Sequence, residues 1–216
     1  MSRSLTAQEH PLLDARAFVT LFPEGLGAVA SSEALVSGLR LGGDAPMESN
    51  DVVRLEIRNL LRHGGFKPAG RSKPASEYLL RAESDGFLGQ INPAVDACNV
   101  ASLHSGIPVS VIDLELTEGA LQLSIAPENT RYVFNAAGQE IDVSGLICLS
   151  DVAGPCANPV KDSQRTKTSD ETRRTLSVIW GTSSLPGRSE RLLKWYRDLV
   201  ETTGCETSEV RVEPAR

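Results

Sequence analysis

The chain has 216 residues with 22 Lys+Arg, 28 Asp+Glu and 3 His, a formal net charge of -6, and 40% hydrophobic against 23% charged residues. This composition suits an ordinary globular chain, long enough to bury a core without disulfide or metal staples. No stretch approaches the roughly 18 apolar residues of a membrane span, and the acidic balance excludes a general nucleic-acid coat and speaks against DNA as a partner.

The start, Met1-Ser2-Arg3-Ser4-Leu5-Thr6, is polar and has no apolar core, so no secretory signal is expected. Cys98, Cys148, Cys156 and Cys205 are widely spaced with no C-x-x-C pair. That usage predicts reduced thiols and a cytoplasmic location. Residues 1–13 read as a flexible arm. Asp14 to Phe22 places Ala17, Phe18, Leu21 and Phe22 at helical spacing before Pro23, which predicts a helix. Leu26 to Ala30 reads as a short buried strand, and Gly42-Gly43 as a turn.

Val52 to Arg62 keeps a helical stripe at Val53, Ile57, Leu60 and Leu61, ended by Gly64-Gly65. A second helix is predicted from a Ser72 cap with Pro74 just inside, through Tyr78 to Leu80, stopping before Gly86. Asn92 and Pro93 open a third, which runs to His104 and ends at Gly106 and Pro108. Beyond Val109 come short apolar runs: Val109–Ile112, Leu121–Ile125, Tyr132–Phe134, Leu146–Leu149 and Leu176–Trp180. Turn residues separate them, as in an antiparallel sheet or sandwich. The polar stretch Asn158 to Arg173 is long enough to be a functional loop. Gly187 to Thr203 reads as a closing helix, and residues 204–216 as a frayed, charged tail. The whole predicts one α+β domain over 14–203, with N-terminal helices on largely antiparallel sheets and a C-terminal helix.

The densest constellation is Asn92 to Asp113. Asp96, Asn99 and Leu103 share one helix face, with Cys98 and Ser102 on an adjacent stripe. Two readings stand side by side: a polar site, or side chains that brace backbone at the helix ends.

Asn92, Val95, Asp96, Asn99, Ser102, Leu103, Gly106, Pro108 and Asp113 together resemble the signature of the B3/B4 domain of the phenylalanyl-tRNA synthetase beta chain. Further stretches are similar to that family in the same order: Gly119 with Ala120–Ala126, Gly145–Asp151, Gln164 to Thr172, and Val178-Ile179. Phe22-Pro23, Gly65-Phe66 and Ser76-Glu77-Tyr78-Leu79-Leu80 look like the N-terminal portion of stand-alone members. The resemblance spans about residues 16–182, with its core signature over 90–182.

The resemblance implies an editing module that accepts a mischarged tRNA 3′ end and lets water cleave the ester, which requires a shaped pocket, carbonyl donors and a held water. On that reading Cys98, Asn99, Ser110, Asp113 and Trp180 belong to the substrate pocket. Asn92, Asp96, Ser102, Gly106 and Pro108 shape the helix and its turn. This sequence departs from the family's pattern at three places. Ser110 stands where the family carries a His, Trp180 stands near its Glu, and Cys156-Ala157-Asn158-Pro159-Val160 replaces an Arg-Arg-Trp-Asn-type run. Catalytic residues are therefore not assigned. Two functions stay open: an aminoacyl-tRNA deacylase acting in trans, or a non-catalytic module binding tRNA or a small amino-acid-like ligand.

Lys161, Arg165, Thr166, Lys167 and Arg173 form the local basic cluster suited to tRNA phosphates, diluted by Asp162, Asp170 and Glu171. Its alternative is a solvated loop. The Cys and His spacings match no zinc motif, and His10, His63 and His104 sit in no recognisable triad. No metal or cofactor is expected.

Overall fold

The computed structural model describes residues 5–43 and 45–215. In chain order it runs β1 (Leu5–Ala7), β2 (Leu13–Leu21), α1 (Glu33–Gly38), α2 (Asp51–Arg62), α3 (Ala75–Ser84) and α4 (Pro93–Ser105). There follow β3 (Val109–Asp113), β4 (Leu121–Ile125), β5 (Arg131–Val133), β6 (Glu140–Asp142), β7 (Ile147–Asp151) and β8 (Gly154–Ala157). The chain closes with β9 (Arg174–Thr182), α5 (Arg188–Glu201), β10 (Glu206–Val210) and β11 (Val212–Pro214).

Three layers result. A four-stranded antiparallel sheet, ordered β10-β2-β9-β3, lies in the middle. A five-stranded sheet, ordered β11-β1-β4-β7-β8, covers one face of it, and the helices cover the other. The β5–β6 hairpin stands apart as its own small sheet. Alternation along β9 serves both layers. Leu176, Val178 and Trp180 join the core between the sheets, and Ile179 joins the core under the helices. The α+β class and the mainly antiparallel pairing are as the sequence predicts, although β1 runs parallel to both β4 and β11.

The middle layer explains the largest misreading. Asp14 to Phe22, expected as a helix, is the central strand β2. Phe18 and Phe22 enter the core under the helices, while Ala17 packs between the sheets. A strand covered on both faces loses the two-residue alternation, and its apolar run then mimics helical spacing. Leu26–Ala28 is a 3-10 turn instead of a strand, because Leu26 and Gly27 donate to the carbonyls of Thr172 and Asp170 in the polar loop.

Both termini differ from expectation as well. Residues 5–7 of the expected arm are the strand between β4 and β11, while residues 1–4 lie outside the described residues. The expected frayed tail supplies β10 and β11, and buries Cys205 and Val210. Backbone pairing holds these charged strands together with the few apolar side chains they bury. Ser72 closes a short 3-10 turn, and α3 begins at Ala75 after Pro74 with no side-chain cap. The helices expected over Val52–Arg62 and Gly187–Thr203 form as α2 and α5 within one or two residues.

Candidate functional site

Helix α4 is built as its sequence suggests. The Asn92 Oδ1 accepts the Val95 N–H at 3.0 Å, Pro93 occupies the first turn, and Gly106 ends the helix at φ 71. The Asn92 amide also donates to Thr168 Oγ1 at 3.2 Å, which pins the polar loop to the helix start. Asp96 is fully buried and accepts from Ser31 Oγ at 2.6 Å and from the Ile91 N–H at 2.8 Å. Asn92 and Asp96 thus both bond groups that flank the start of α4. Ser102 is buried with no hydrogen-bond partner for its hydroxyl among the described residues. The Pro108 carbonyl accepts the Trp180 backbone N–H at 3.0 Å.

The five pocket candidates fall in different surroundings. Cys98 faces the core under the helices and donates to the Val109 carbonyl at 3.4 Å; burial drives its thiol far above the usual range. Asn99 is half-buried, and its side chain makes no hydrogen bond among the described residues. Asp113 accepts from the Glu115 N–H at 2.9 Å and from Thr172 Oγ1 at 2.6 Å, so both carboxylate oxygens hold local structure. Ser110 and Trp180 alone are joined. The indole N–H donates to Ser110 Oγ at 2.9 Å, and Trp180 is 0% and Ser110 1% exposed. This pair lies where β3 and β9 meet the core between the sheets.

Ser110 leads to a residue that sequence reasoning treated only as a diluting charge. Its hydroxyl lies 2.7 Å from Asp162 Oδ1 and 3.2 Å from the Asn158 carbonyl. The Asn158 N–H donates to the same carboxylate at 3.1 Å. The Asn158 side-chain amide donates to the Tyr132 hydroxyl, which itself donates to the Lys161 carbonyl at 2.5 Å. Burial of its carboxyl group pushes Asp162 up to about 7, against the opposing pull of Ser110, the Asn158 N–H and the Lys167 ammonium. The result is a polar plug of Trp180, Ser110, Asp162, Asn158 and Tyr132, with Trp180 in the inter-sheet core and Tyr132 packed against the core under the helices. Only the Asn158-Pro159 turn, with its Asn Oδ1 accepting the Val160 and Lys161 N–H groups, hinted at it in the sequence.

Most of the expected phosphate cluster is engaged in holding its own loop. Arg165 makes two 2.9 Å bonds to Asp151 and one of 3.2 Å to the Gly154 carbonyl. Burial raises the Asp151 carboxyl, but Arg165 and the N–H groups of Glu118 and Ala153 outweigh it and keep it below the usual range. Thr166 is fully buried against the Cys156 carbonyl, Lys167 Nζ donates to the Phe134 carbonyl at 2.6 Å, and Arg173 donates to the Pro23 carbonyl. Lys161 differs. Its ammonium stands 4.2 Å from the Phe134 ring centre and 5.7 Å from that of Tyr78, with no carboxylate partner among the described residues.

Beside Lys161 opens a cleft of about 650 Å³. Arg71 and Ser72 line it from the 3-10 turn before α3, Tyr78 from α3, and Phe134, Gln139, Glu140, Ile141 and Asp142 from the β5–β6 hairpin. The Ala75 N–H donates to the Pro159 carbonyl at 2.8 Å, tying the first wall to the plug. Arg71, Tyr78 and Phe134 are too far apart in sequence to have been grouped without the fold. Among the described residues no three His, Cys, Asp or Glu side chains gather to hold a metal ion, and no helix is long and apolar enough to cross a membrane.

The B3/4 domain family model matches residues 70–186, more than half of the chain. The chain belongs to the B3/4 domain family. The match contains α3, α4, the plug, the cleft and the strands β3 to β9, and leaves out β1, β2, β10 and β11. Among solved structures this B3/4 protein resembles the N-terminal fragment of the phenylalanyl-tRNA synthetase beta subunit from Pyrococcus horikoshii. The TM-score is 0.53 at 10% identity, over 99% of this chain and 52% of that one. The likeness is one of fold, and the B3/4 chain spans about half the length of that fragment. No curated protein matches it in sequence.

Proposed function

We propose that this B3/4 protein is a tRNA-associated binding module of the cytoplasm that holds a tRNA 3′ end without hydrolysing an aminoacyl ester. The family and the resemblance to a synthetase fragment support the tRNA association. The observation that carries the non-catalytic part is the indole of Trp180, sealed from solvent and bonded to Ser110 at the positions where the family resemblance puts an acyl pocket. A hydrolytic site needs room for the acyl group and a water held against it. The side chains of Cys98 and Asp113 face packed structure too, which leaves Asn99 as the pocket candidate that retains partial exposure.

The test is incubation of the folded protein with a panel of mischarged tRNAs, alongside a salt titration of uncharged tRNA binding. Binding that weakens steeply with salt, with no ester release above buffer, is expected. Absence of tRNA binding at every salt concentration would overturn the reading. A second reading, deacylation in trans, is favoured by one feature: Asp162 exchanges its proton near neutrality and bonds a serine hydroxyl. Ester release that vanishes in Asp162→Asn would put that reading in first place.

A further inference from the structure

We infer that the cleft between the Arg71–Tyr78 segment and the β5–β6 hairpin is the site of a nucleoside phosphate, with the phosphate at Arg71 and Lys161 and the base against Tyr78 or Phe134. The inference rests on the proposed function for the origin of that ligand, a tRNA end, but the chemistry is read from the cleft. Burial, then repulsion from Arg71, lowers the affinity of Lys161 for its proton. Two cations are therefore held close enough to repel. Neither forms an ion pair among the described residues, although Glu140 and Asp142 line the same cleft. Asp142 instead pairs with Arg131 at 3.4 Å. An anion between Arg71 and Lys161 removes that repulsion and completes both side chains.

The aromatic rings set the rest of the ligand. Lys161 stands over both Tyr78 and Phe134, so the cation site adjoins two ring faces. A base stacks on such faces regardless of its identity, and cations beside it take the phosphate. Glu140, Asp142 and Gln139 on the hairpin offer acceptors for ribose hydroxyls, which a simple inorganic anion would leave unused. A volume of about 650 Å³ accommodates one nucleotide and not a folded helix of RNA. The same moiety could come from an RNA 3′ end or from a free nucleotide.

The experiment titrates the full chain with adenosine 5′-monophosphate, with adenosine, and with tRNA that has or lacks its terminal adenosine. Arg71 is exposed and has no hydrogen-bond partner among the described residues, so Arg71→Gln should fold normally. Phe134→Ala and Lys161→Met serve as second and third variants, each checked by thermal melting. The monophosphate should bind better than adenosine, and each folded variant should weaken it about tenfold. Loss of the terminal adenosine should weaken tRNA to a similar degree. Monophosphate binding without tRNA binding keeps the site and assigns it to a free nucleotide, overturning the proposed function alone. tRNA binding that ignores all three variants, with no monophosphate binding, overturns the site and leaves the proposed function standing.

Discussion

Asp162 is the carboxylic acid of the polar plug, raised by burial, and its protonation should be measurable as stability. Its carboxyl titrates near 3.8 when solvated and at about 7 in the fold. Between those values the native state holds a proton that the unfolded chain has released, so stability contributed by this group falls as pH rises from about 4 to 7. Moving the titration that far corresponds to roughly 4 kcal/mol as an upper bound, since the residue keeps some exposure. In Asp162→Asn that dependence is gone. Denaturant unfolding at intervals from pH 4.5 to 8 should therefore show the variant gaining on the parent chain by a few kcal/mol as pH rises. Parallel curves would mean that Asp162 is solvated. Neither Trp180 nor Ser110 announced this arrangement in the sequence, because the acid bonded to Ser110 lies 52 residues from it and was legible only as a loop charge.

Among the elements, α4 was the most legible. Asn92, Pro93 and Gly106 are local signals whose meaning does not depend on the rest of the chain: a side-chain acceptor, a fixed φ and a residue free to turn left-handed. Gly106 also has a tertiary constraint. A Cβ there would meet Ser49 Oγ at 2.6 Å and Val53 Cγ1 at 3.0 Å, where α2 passes the end of α4. Gly106→Ala should cost about 1–2 kcal/mol from the positive φ and this contact, lowering the melting temperature by roughly 3–8 °C. An unchanged melt would show that neither the positive φ nor the approach of α2 carries a cost here. The strand β2 was illegible for the opposite reason. Its pattern of burial is set by two layers that come from distant parts of the chain, so no local period survives in it. The basic loop was half legible: its position between β8 and β9 was clear, but whether Arg165 faces solvent or Asp151 depends on how β7 and β8 pair.

Across the molecule, the two chain ends meet. β1 lies between β11 and β4, and β10 pairs with β2, so the last dozen residues cover edges in both large sheets. Truncation after Gly204 would uncover the edge of β2, remove the Thr207 partner of Arg197 and expose part of both cores. Exposed strand edges template association. The truncated chain should melt at least about 10 °C lower and self-associate, whereas a frayed tail could be removed without effect. Thermal melting with light scattering distinguishes the two.

Residue order alone established the α+β class, the helices α2, α4 and α5 with the Asn92 cap of α4, most later strands and the resemblance that points to the B3/4 family, since each rests on short-range stereochemistry or on a motif of fixed spacing. Which side chains share a site could not be read that way. The indole's enclosure, the raised carboxyl of Asp162, and the cleft that Arg71 and Lys161 share with Tyr78 and Phe134 arise from segments brought together by the fold. Burial and charge proximity are properties of that assembled environment, and no single stretch of the chain contains them.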